Sequence, residues 1–363
     1  MSLKKDNFLD LKQKFMKLAL DLAKQNNGLT GTNPSVGCVV TSNNKIISFG
    51  KTEYNGRPHA EVVALKNLKK LNDLQIYVTL EPCTHFGKTP PCTNLIIKKK
   101  INRVNYSIED FDNRTKNKSK KTLRNKKITS VSGLLRNEVN NFYKDYKYSK
   151  TKKLPYVVGK LAISNNNKIF LNKNKITNDH SHKVSHLLRY RNQAILSSYK
   201  TINSDNPSLN CRIPGLEKFS PAKFIIDKNL DVKLNSKIFS LSQHKTYIIH
   251  NQKNKSRLKK FNKSNAKLIF MNLKHDNFIL KNLLNKIYEI GYSSLLVESG
   301  PNLLTSFIKS NLINEFYLFK NSNNINVNNT IKVHSFIDLL NKKFKERFKI
   351  NTYLKKDKLF RYH

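Results

Sequence analysis

Apolar residues at Phe8, Leu11, Phe15, Leu18 and Leu22 recur at helical spacing, which predicts an amphipathic helix over Phe8–Lys24 that ends near Gly28. Val36–Thr41 and Lys45–Phe49 then read as two short strands joined at an Asn43-Asn44 turn. Pro58 precedes a helical stretch from His59 to about Leu71. Gln75–Leu80 is strand-like, Cys92–Lys99 helical and Arg103–Ile108 strand-like. Strands alternating with helices in this way indicate a three-layer α/β domain.

The run from Tyr146 to Leu154 is polar and charged and stops at Pro155, so it is read as a linker. Beyond it the alternation resumes. Tyr156–Ile163, Ala194–Ser197, Phe224–Asp227, Thr246–His250, Ala266–Met271 and Ser294–Glu298 are strand-like. His182–Tyr190, Leu280–Ile290 and a segment opening at Gly300-Pro301 are helical. A chain of 363 residues accommodates two such units, placed at 1–148 and 153–363.

Composition changes the picture in three ways. The net charge of +44 suggests a polyanionic partner, but the lysines are spread through the chain among Asn and Ile and no basic segment is interleaved with aromatics. Coding bias in an AT-rich genome produces that mixture, so no specific nucleic-acid partner is expected. Met1–Leu20 lacks an apolar signal core and nowhere is there an apolar run long enough to span a bilayer, which predicts a soluble cytoplasmic protein without a membrane partner. Four cysteines, Cys38, Cys83, Cys92 and Cys211, are too few for a disulfide framework and suit metal binding or catalysis. Glycine is scarce, and neither the dinucleotide fingerprint nor a P-loop occurs.

The most informative chemistry is His59-Ala-Glu61 followed by Pro82-Cys83 and Cys92. Zinc takes imidazole and thiolate ligands, and three protein ligands with an open fourth position make a catalytic site. His59, Cys83 and Cys92 supply those three; Cys38 fits a core strand. Two thiolates partly neutralise the dication, so a carboxylate able to accept a proton from water becomes important, and Glu61 is that group. His59 and Cys83 are both read as following a proline where a helix begins, with Glu61 turned away from the metal toward substrate.

The pattern H-x-E with P-C is that of zinc nucleobase deaminases, though here eight residues separate the cysteines. With Asn33-Pro-Ser-Val-Gly-Cys38 upstream, the run Thr79-Leu-Glu-Pro-Cys-Thr-His-Phe-Gly-Lys-Thr-Pro-Pro-Cys92 closely resembles the bifunctional riboflavin-biosynthesis deaminase/reductase family. The resemblance implies that Asn33, His85 and Lys88 contact a pyrimidine ribosyl phosphate.

The resemblance covers nearly the whole chain and is looser in the second half. Lys160-Leu-Ala162-Ile-Ser164 matches the strand whose backbone approaches the nicotinamide, but the family's Leu-Asp-Gly is replaced by Asn165-Asn166-Asn167, and Lys175 stands where the family commonly has Trp. The resemblance further implies that Thr201 and Asp205 touch NADPH and that Arg189, Leu209, Arg212 and Glu298 hold substrate. Two guanidinium groups suit a phosphate monoester. Val297-Glu-Ser-Gly300-Pro-Asn-Leu303 matches a motif in which a helix N-terminus at Gly300 receives a cofactor phosphate. Asn321–Asn329 replaces a turn that usually contains Pro and Gly.

The fold so implied is a cytidine-deaminase-like three-layer α/β domain followed by a dihydrofolate-reductase-like α/β domain. Its activities are zinc-dependent hydrolytic deamination of 2,5-diamino-6-ribosylamino-4(3H)-pyrimidinone 5′-phosphate and NADPH-dependent reduction of the ribosyl side chain to ribityl, a bifunctional hydrolase and oxidoreductase. Three other readings use the same residues: an active deaminase with a degenerate reductase half, a tRNA or nucleobase deaminase with an unrelated C-terminal domain, and a basic nucleic-acid-binding protein with a structural zinc. Assembly into a homo-oligomer is left open by the sequence.

Overall fold

Asp10 caps the first helix, α1 (Leu11–Gln25): its carboxylate accepts from the Gln13 N–H at 2.7 Å while the Gln13 side chain accepts from the Asp10 N–H at 3.2 Å. This reciprocal pair fixes the helix start. Phe8 lies outside the described residues, which in this computed structural model are 10–69, 71–170, 175–240 and 244–363. The chain divides into two compact units, Met1–Lys153 and Leu154–His363, each with its own sheet.

In the first unit, β1 (Gly37–Ser42) and β2 (Lys45–Lys51) form an antiparallel hairpin. Asn43 and Asn44 both take positive φ, 47° and 60°, as a two-residue hairpin turn requires. Next come α2 (Ala60–Leu65), β3 (Leu74–Leu80), α3 (Cys92–Lys98), β4 (Arg103–Ile108), α4 (Ser119–Arg124) and β5 (Thr129–Ser132). The strands lie in the order β2-β1-β3-β4-β5, with β3, β4 and β5 parallel. Alternate residues serve opposite faces. Val39 and Tyr77 pack on Phe15, Met16, Ala19 and Leu22 of α1, while Cys38, Val40, Ile76 and Val78 join Ala60, Ala64, Leu65 and Ile96 on the other side. α1 comes so close to β1 that a Cβ on Gly37 would lie 1.8 Å from the Ala19 carbonyl oxygen.

Two local expectations are corrected here. α2 stops at Leu65 instead of running to Leu71, because the Ser48 hydroxyl donates to the Ala64 carbonyl at 2.7 Å and the Leu68 N–H turns to Leu65 instead. The stretch read as a linker is helical. After α5 (Arg136–Phe142), α6 (Lys144–Lys152) continues to Lys153, whose left-handed φ of 58° ends it. Tyr146 anchors α6, with its ring centroid 6.1 Å from both Phe111 and Tyr143 and its hydroxyl donating to Asp110 at 3.1 Å.

Among the described residues the main sheet of the second unit has nine strands in the order β11-β10-β9-β8-β14-β6-β15-β18-β17. In chain order its elements are β6 (Tyr156–Ile163), β7 (Lys168–Phe170), α7 (Asp179–Arg191), β8 (Ala194–Ser198), α8 (Tyr199–Asp205), β9 (Ala222–Ile226), α9 (Lys237–Ser240), β10 (Thr246–His250), α10 (Lys255–Lys260) and β11 (Ala266–Phe270). Then follow β12 (Leu273–Lys274), β13 (Asn277–Phe278), α11 (Leu280–Ile290), β14 (Ser294–Glu298), α12 (Pro301–Lys309), β15 (Glu315–Lys320), β16 (Thr330–Lys332), α13 (His334–Lys343), β17 (Arg347–Lys349) and β18 (Lys358–Tyr362). The strands from β11 to β15 are parallel, and their central members are apolar on both faces, as in Ala194–Leu196 and Leu295–Val297. β18 and β17 close one edge in antiparallel fashion.

Asn165–Asn167 and the Asn-rich segment after β15 hold each other. The Asn165 N–H donates to the Asn323 carbonyl at 2.9 Å. The Asn166 amide donates to the Ile325 carbonyl and accepts from the Ile325 N–H, both at 3.1 Å. Asn167 takes the left-handed φ of 53° that a glycine would otherwise supply, and its carbonyl accepts from the Val333 N–H at 2.9 Å. β7 and β16 pair as a ribbon beside this junction. Among the described residues no helix is long and apolar enough to cross a membrane.

Candidate active sites

His59 is the N-cap of α2, Cys92 opens α3 after Pro91, and Cys83 lies in the loop that follows β3. Cys83 therefore does not begin a helix, contrary to the sequence reading; instead the N–H of Cys92, at the start of α3, donates to the Cys83 sulfur at 3.2 Å. One ligand atom from each of the three residues lies within 4.8 Å of the others. His59 Nδ1 is 3.3 Å from Cys92 Sγ and 3.7 Å from Cys83 Sγ. Zinc bond lengths of about 2.0–2.1 Å to nitrogen and 2.3 Å to sulfur, set at tetrahedral angles, give an N–S edge of about 3.6 Å. The donor set is thus already spaced for that ion, with Nδ1 as the nitrogen ligand.

The charges agree with this geometry. The Cys83 thiol is drawn down to about 4, chiefly by its hydrogen bond with Cys92, while the same bond and burial drive the Cys92 thiol upward. One proton serves two sulfurs, and a dication is what lets both be thiolates. Glu61, in the first turn of α2 and only 4 % exposed, is pushed upward by burial and by the charge of Cys83. A carboxyl held above its ordinary range takes a proton more readily and can return it to a leaving group.

A cavity of about 490 Å³ opens over this cluster, and Asn33, Glu61, His85 and Lys88 all line it. The Asn33 amide nitrogen donates to the Gly56 carbonyl at 3.0 Å. His85 Nδ1 is 3.0 Å from the Thr115 hydroxyl, and burial together with the Arg114 charge lowers its pKa, which favours the neutral imidazole. The lining also includes an ionic group that sequence reasoning missed. Arg114 grips Asp112 at 2.7 Å and 2.9 Å, and Lys150 of α6 reaches the same carboxylate at 3.5 Å. The bonds from Arg114 hold the Asp112 carboxyl far below its ordinary range, whereas burial pushes its neighbour Asp110 up to about 6.

The second unit contains a cavity of about 450 Å³ lined by Ala162 on β6, Thr201 and Asp205 one turn apart on α8, Leu209, Arg189, Glu298 and Gly300. Gly300 is the N-cap of α12, and its N–H donates to the Thr201 hydroxyl at 3.4 Å. Ile169 and Phe170 of β7 and Ile331 of β16 complete the wall. Arg189 and Glu298, both expected to contact substrate, are bound to each other. Arg189 Nε donates to one carboxylate oxygen and a terminal nitrogen to the other, both at 2.9 Å, and Lys160 adds a third bond at 3.3 Å. Glu298 is held far below the usual carboxylate range against the cost of its burial, with the Arg189 charge the largest favourable influence. Arg212 is exposed, donates to Asn210 at 3.1 Å and is not among the residues lining the cavity; Lys175 pairs with Asp179 at the surface.

Residues 9–108 match the family described as the cytidine and deoxycytidylate deaminase zinc-binding region, and residues 155–322 match the RibD C-terminal domain. The riboflavin biosynthesis protein RibD of Aquifex aeolicus is 35 % identical over 314 residues, covering 85 % of this chain and 86 % of its own. The chain belongs to the RibD family. RibD of Buchnera aphidicola is 33 % identical, with 84 % of this chain and 85 % of its own covered. A crystal structure from Thermotoga maritima, described as a diaminohydroxyphosphoribosylaminopyrimidine deaminase/5-amino-6-(5-phosphoribosylamino)uracil reductase, superposes with a TM-score of 0.81 at 26 % identity over 97 % of this chain and 98 % of that one. The RibD match over residues 155–322 overturns the reading with an unrelated C-terminal domain. Within this RibD framework, Tyr146 and Lys150 escaped the sequence reading because their stretch looks like a solvated linker. In the sequence Lys160 is one position of a strand; its in-register pairing with Glu298 across β6 and β14 appears once the sheet forms.

Proposed function

We propose that the first unit removes the 2-amino group of 2,5-diamino-6-ribosylamino-4(3H)-pyrimidinone 5′-phosphate and that the second reduces the ribosyl group of the deaminated product to ribityl. The observation that carries the first half is the convergence of three zinc-type donors, a buried carboxylate and the family's contact residues on one cavity, whose size lies within the roughly 300–1,000 Å³ typical of small-molecule sites. His59, Cys83 and Cys92 would hold zinc, which when bound polarises water for attack on the ring carbon. Glu61 takes a proton at its carboxylate oxygen and returns it to the leaving amino nitrogen. His85, the Asn33 amide and Lys88 orient the ring and the phosphoribosyl group.

In the second unit Ala162, Thr201, Asp205 and Gly300 would hold NADPH, which supplies hydride to C1′ of the opened sugar. Leu209, Arg212 and the pair Arg189–Glu298 would form the substrate side, with Arg212, exposed and held by Asn210, the guanidinium offered to phosphate. Work in the cytoplasm is proposed, consistent with four free cysteines. The charge of +44 is assigned no nucleic-acid partner, and retention on DNA should vanish at moderate salt without affecting either activity.

The test is a two-step assay of the purified protein with zinc and NADPH, following ammonia release and then NADPH consumption. Ammonia without subsequent NADPH loss would leave only the deaminase. Neither signal from a protein carrying one zinc per chain would overturn the proposal.

A further inference from the structure

Glu81 follows β3 directly, two residues before Cys83, and is only 3 % exposed. Its place in the chain suggests a part in the metal centre, but the bonds it makes lead elsewhere. One carboxylate oxygen accepts from the backbone N–H groups of Asp110 at 3.1 Å and Asn117 at 3.0 Å, and the other accepts from the N–H of Ser119 at 3.0 Å. Its own N–H donates to the Ile108 carbonyl at 2.9 Å. With both oxygens engaged, Glu81 is committed to the segment from Asp110 to Ser119, which contains no helix or strand until α4 begins.

That segment carries one wall of the cavity. Asp110, Asp112 and Arg114 line it, and Thr115, with no exposed surface, places its hydroxyl 3.0 Å from His85 Nδ1. A loop with no ladder of its own must find partners for its N–H groups elsewhere, and a buried carboxylate gathering three of them is a strong way to fix it. A displacement of about 1 Å in such a wall is enough to weaken substrate positioning severely.

We propose that Glu81 is a positioning residue for substrate recognition: it sets the Asp110–Ser119 wall and, through Thr115, the orientation of His85, without serving the metal centre. This inference rests on the deaminase reading of the cavity. Glu81→Gln keeps the size but turns an NH2 group toward at least one backbone N–H. Deaminase KM should rise by roughly ten- to a hundredfold, the range set by losing a hydrogen bond to a charged group, while kcat stays within about threefold. Zinc content and NADPH-dependent reduction of supplied deaminated intermediate should be unchanged. Thr115→Val, which removes the hydroxyl facing His85, should raise KM in the same direction, and Glu81→Asp should recover part of the loss by restoring a carboxylate.

Zinc loss from a folded Glu81→Gln, or a fall in kcat at unchanged KM, would overturn the proposal while leaving the deaminase reading intact. If Glu81→Gln does not fold, Thr115→Val decides: a raised KM supports the proposal and an unchanged one refutes it. An unmutated protein that binds zinc yet releases no ammonia would instead refute the underlying reading.

Discussion

Glu298→Ala should be felt first in the stability of the second unit and only then in its chemistry. Glu298, Arg189 and Lys160 have side chains 16 %, 11 % and 13 % exposed, and three bonds of 2.9, 2.9 and 3.3 Å join them. Removing the carboxylate leaves two cations facing each other with little water. Breaking a buried ion pair from one side costs about 3–5 kcal/mol. For a unit of this length about 1 kcal/mol shifts Tm by roughly 2–4 °C, so a drop on the order of 10 °C is expected. Calorimetry of the whole chain reads it, with the transition of the first unit as an internal reference. A glutamate depressed in the folded state contributes its stability above its unfolded value near 4.5 and loses it only as pH falls through the folded one, so the drop should be the same at pH 5 and pH 7. The double variant Arg189→Met with Glu298→Leu should lose less than the sum of the single changes, because no buried charge is stranded at the Arg189 position. A Tm change below about 3 °C for Glu298→Ala, on the same scale, or strict additivity of the pair, would refute the reasoning and return both residues to simple ligand contacts.

Three further outcomes follow from the sites. Glu61→Gln should retain one zinc per chain and lose deamination by about 10²- to 10⁴-fold while leaving reduction intact, as read by metal analysis and the two assays; a loss below about tenfold would remove its proton-transfer role. Arg212→Ala, at an exposed guanidinium, should raise the reductase substrate KM by about one to two powers of ten with NADPH affinity and Tm unchanged, in contrast to Arg189→Ala, which should lower Tm as well. Burial and the charges of Arg189 and Arg212 push His186 down to about 4, so its stabilising contribution is full above the unfolded value near 6.5 and is lost as pH falls toward 4. Thermal scans should therefore show His186→Asn losing less stability between pH 7 and pH 4.5 than the unmutated protein, by roughly 1–3 kcal/mol.

Most strands, and the three residues that cluster as candidate metal donors, were legible because each rests on local information: β-branched runs such as Val39-Val40-Thr41 and Val157-Val158, and the His and Cys side chains themselves. What escaped depends on partners far away in the chain. α6 has a polar, lysine-rich sequence and is read as a linker, yet Tyr146 and Lys150 find Asp110 and Asp112 some forty residues earlier. The end of α2 was misplaced because the hydroxyl that takes the Ala64 carbonyl comes from Ser48 on a neighbouring strand. Arg189 and Glu298 were recognised singly, and their mutual bond requires α7 and β14 to be brought together across the sheet.

The junction between Asn165–Asn167 and the segment after β15 bears on how such a chain changes over generations. Each half departs from the family's pattern, and taken alone each looks like decay of the reductase. Their amides are donor and acceptor to one another, and the ribbon of β7 and β16 that walls the second cavity begins where they meet. A glycine turn transplanted from a relative would free the Ile325 backbone of its Asn166 partner, and a Pro- and Gly-containing return would free Asn166 in its turn. The two stretches therefore form a single structural unit, and a substitution in one removes hydrogen-bond partners from the other across more than a hundred and fifty positions of intervening sequence.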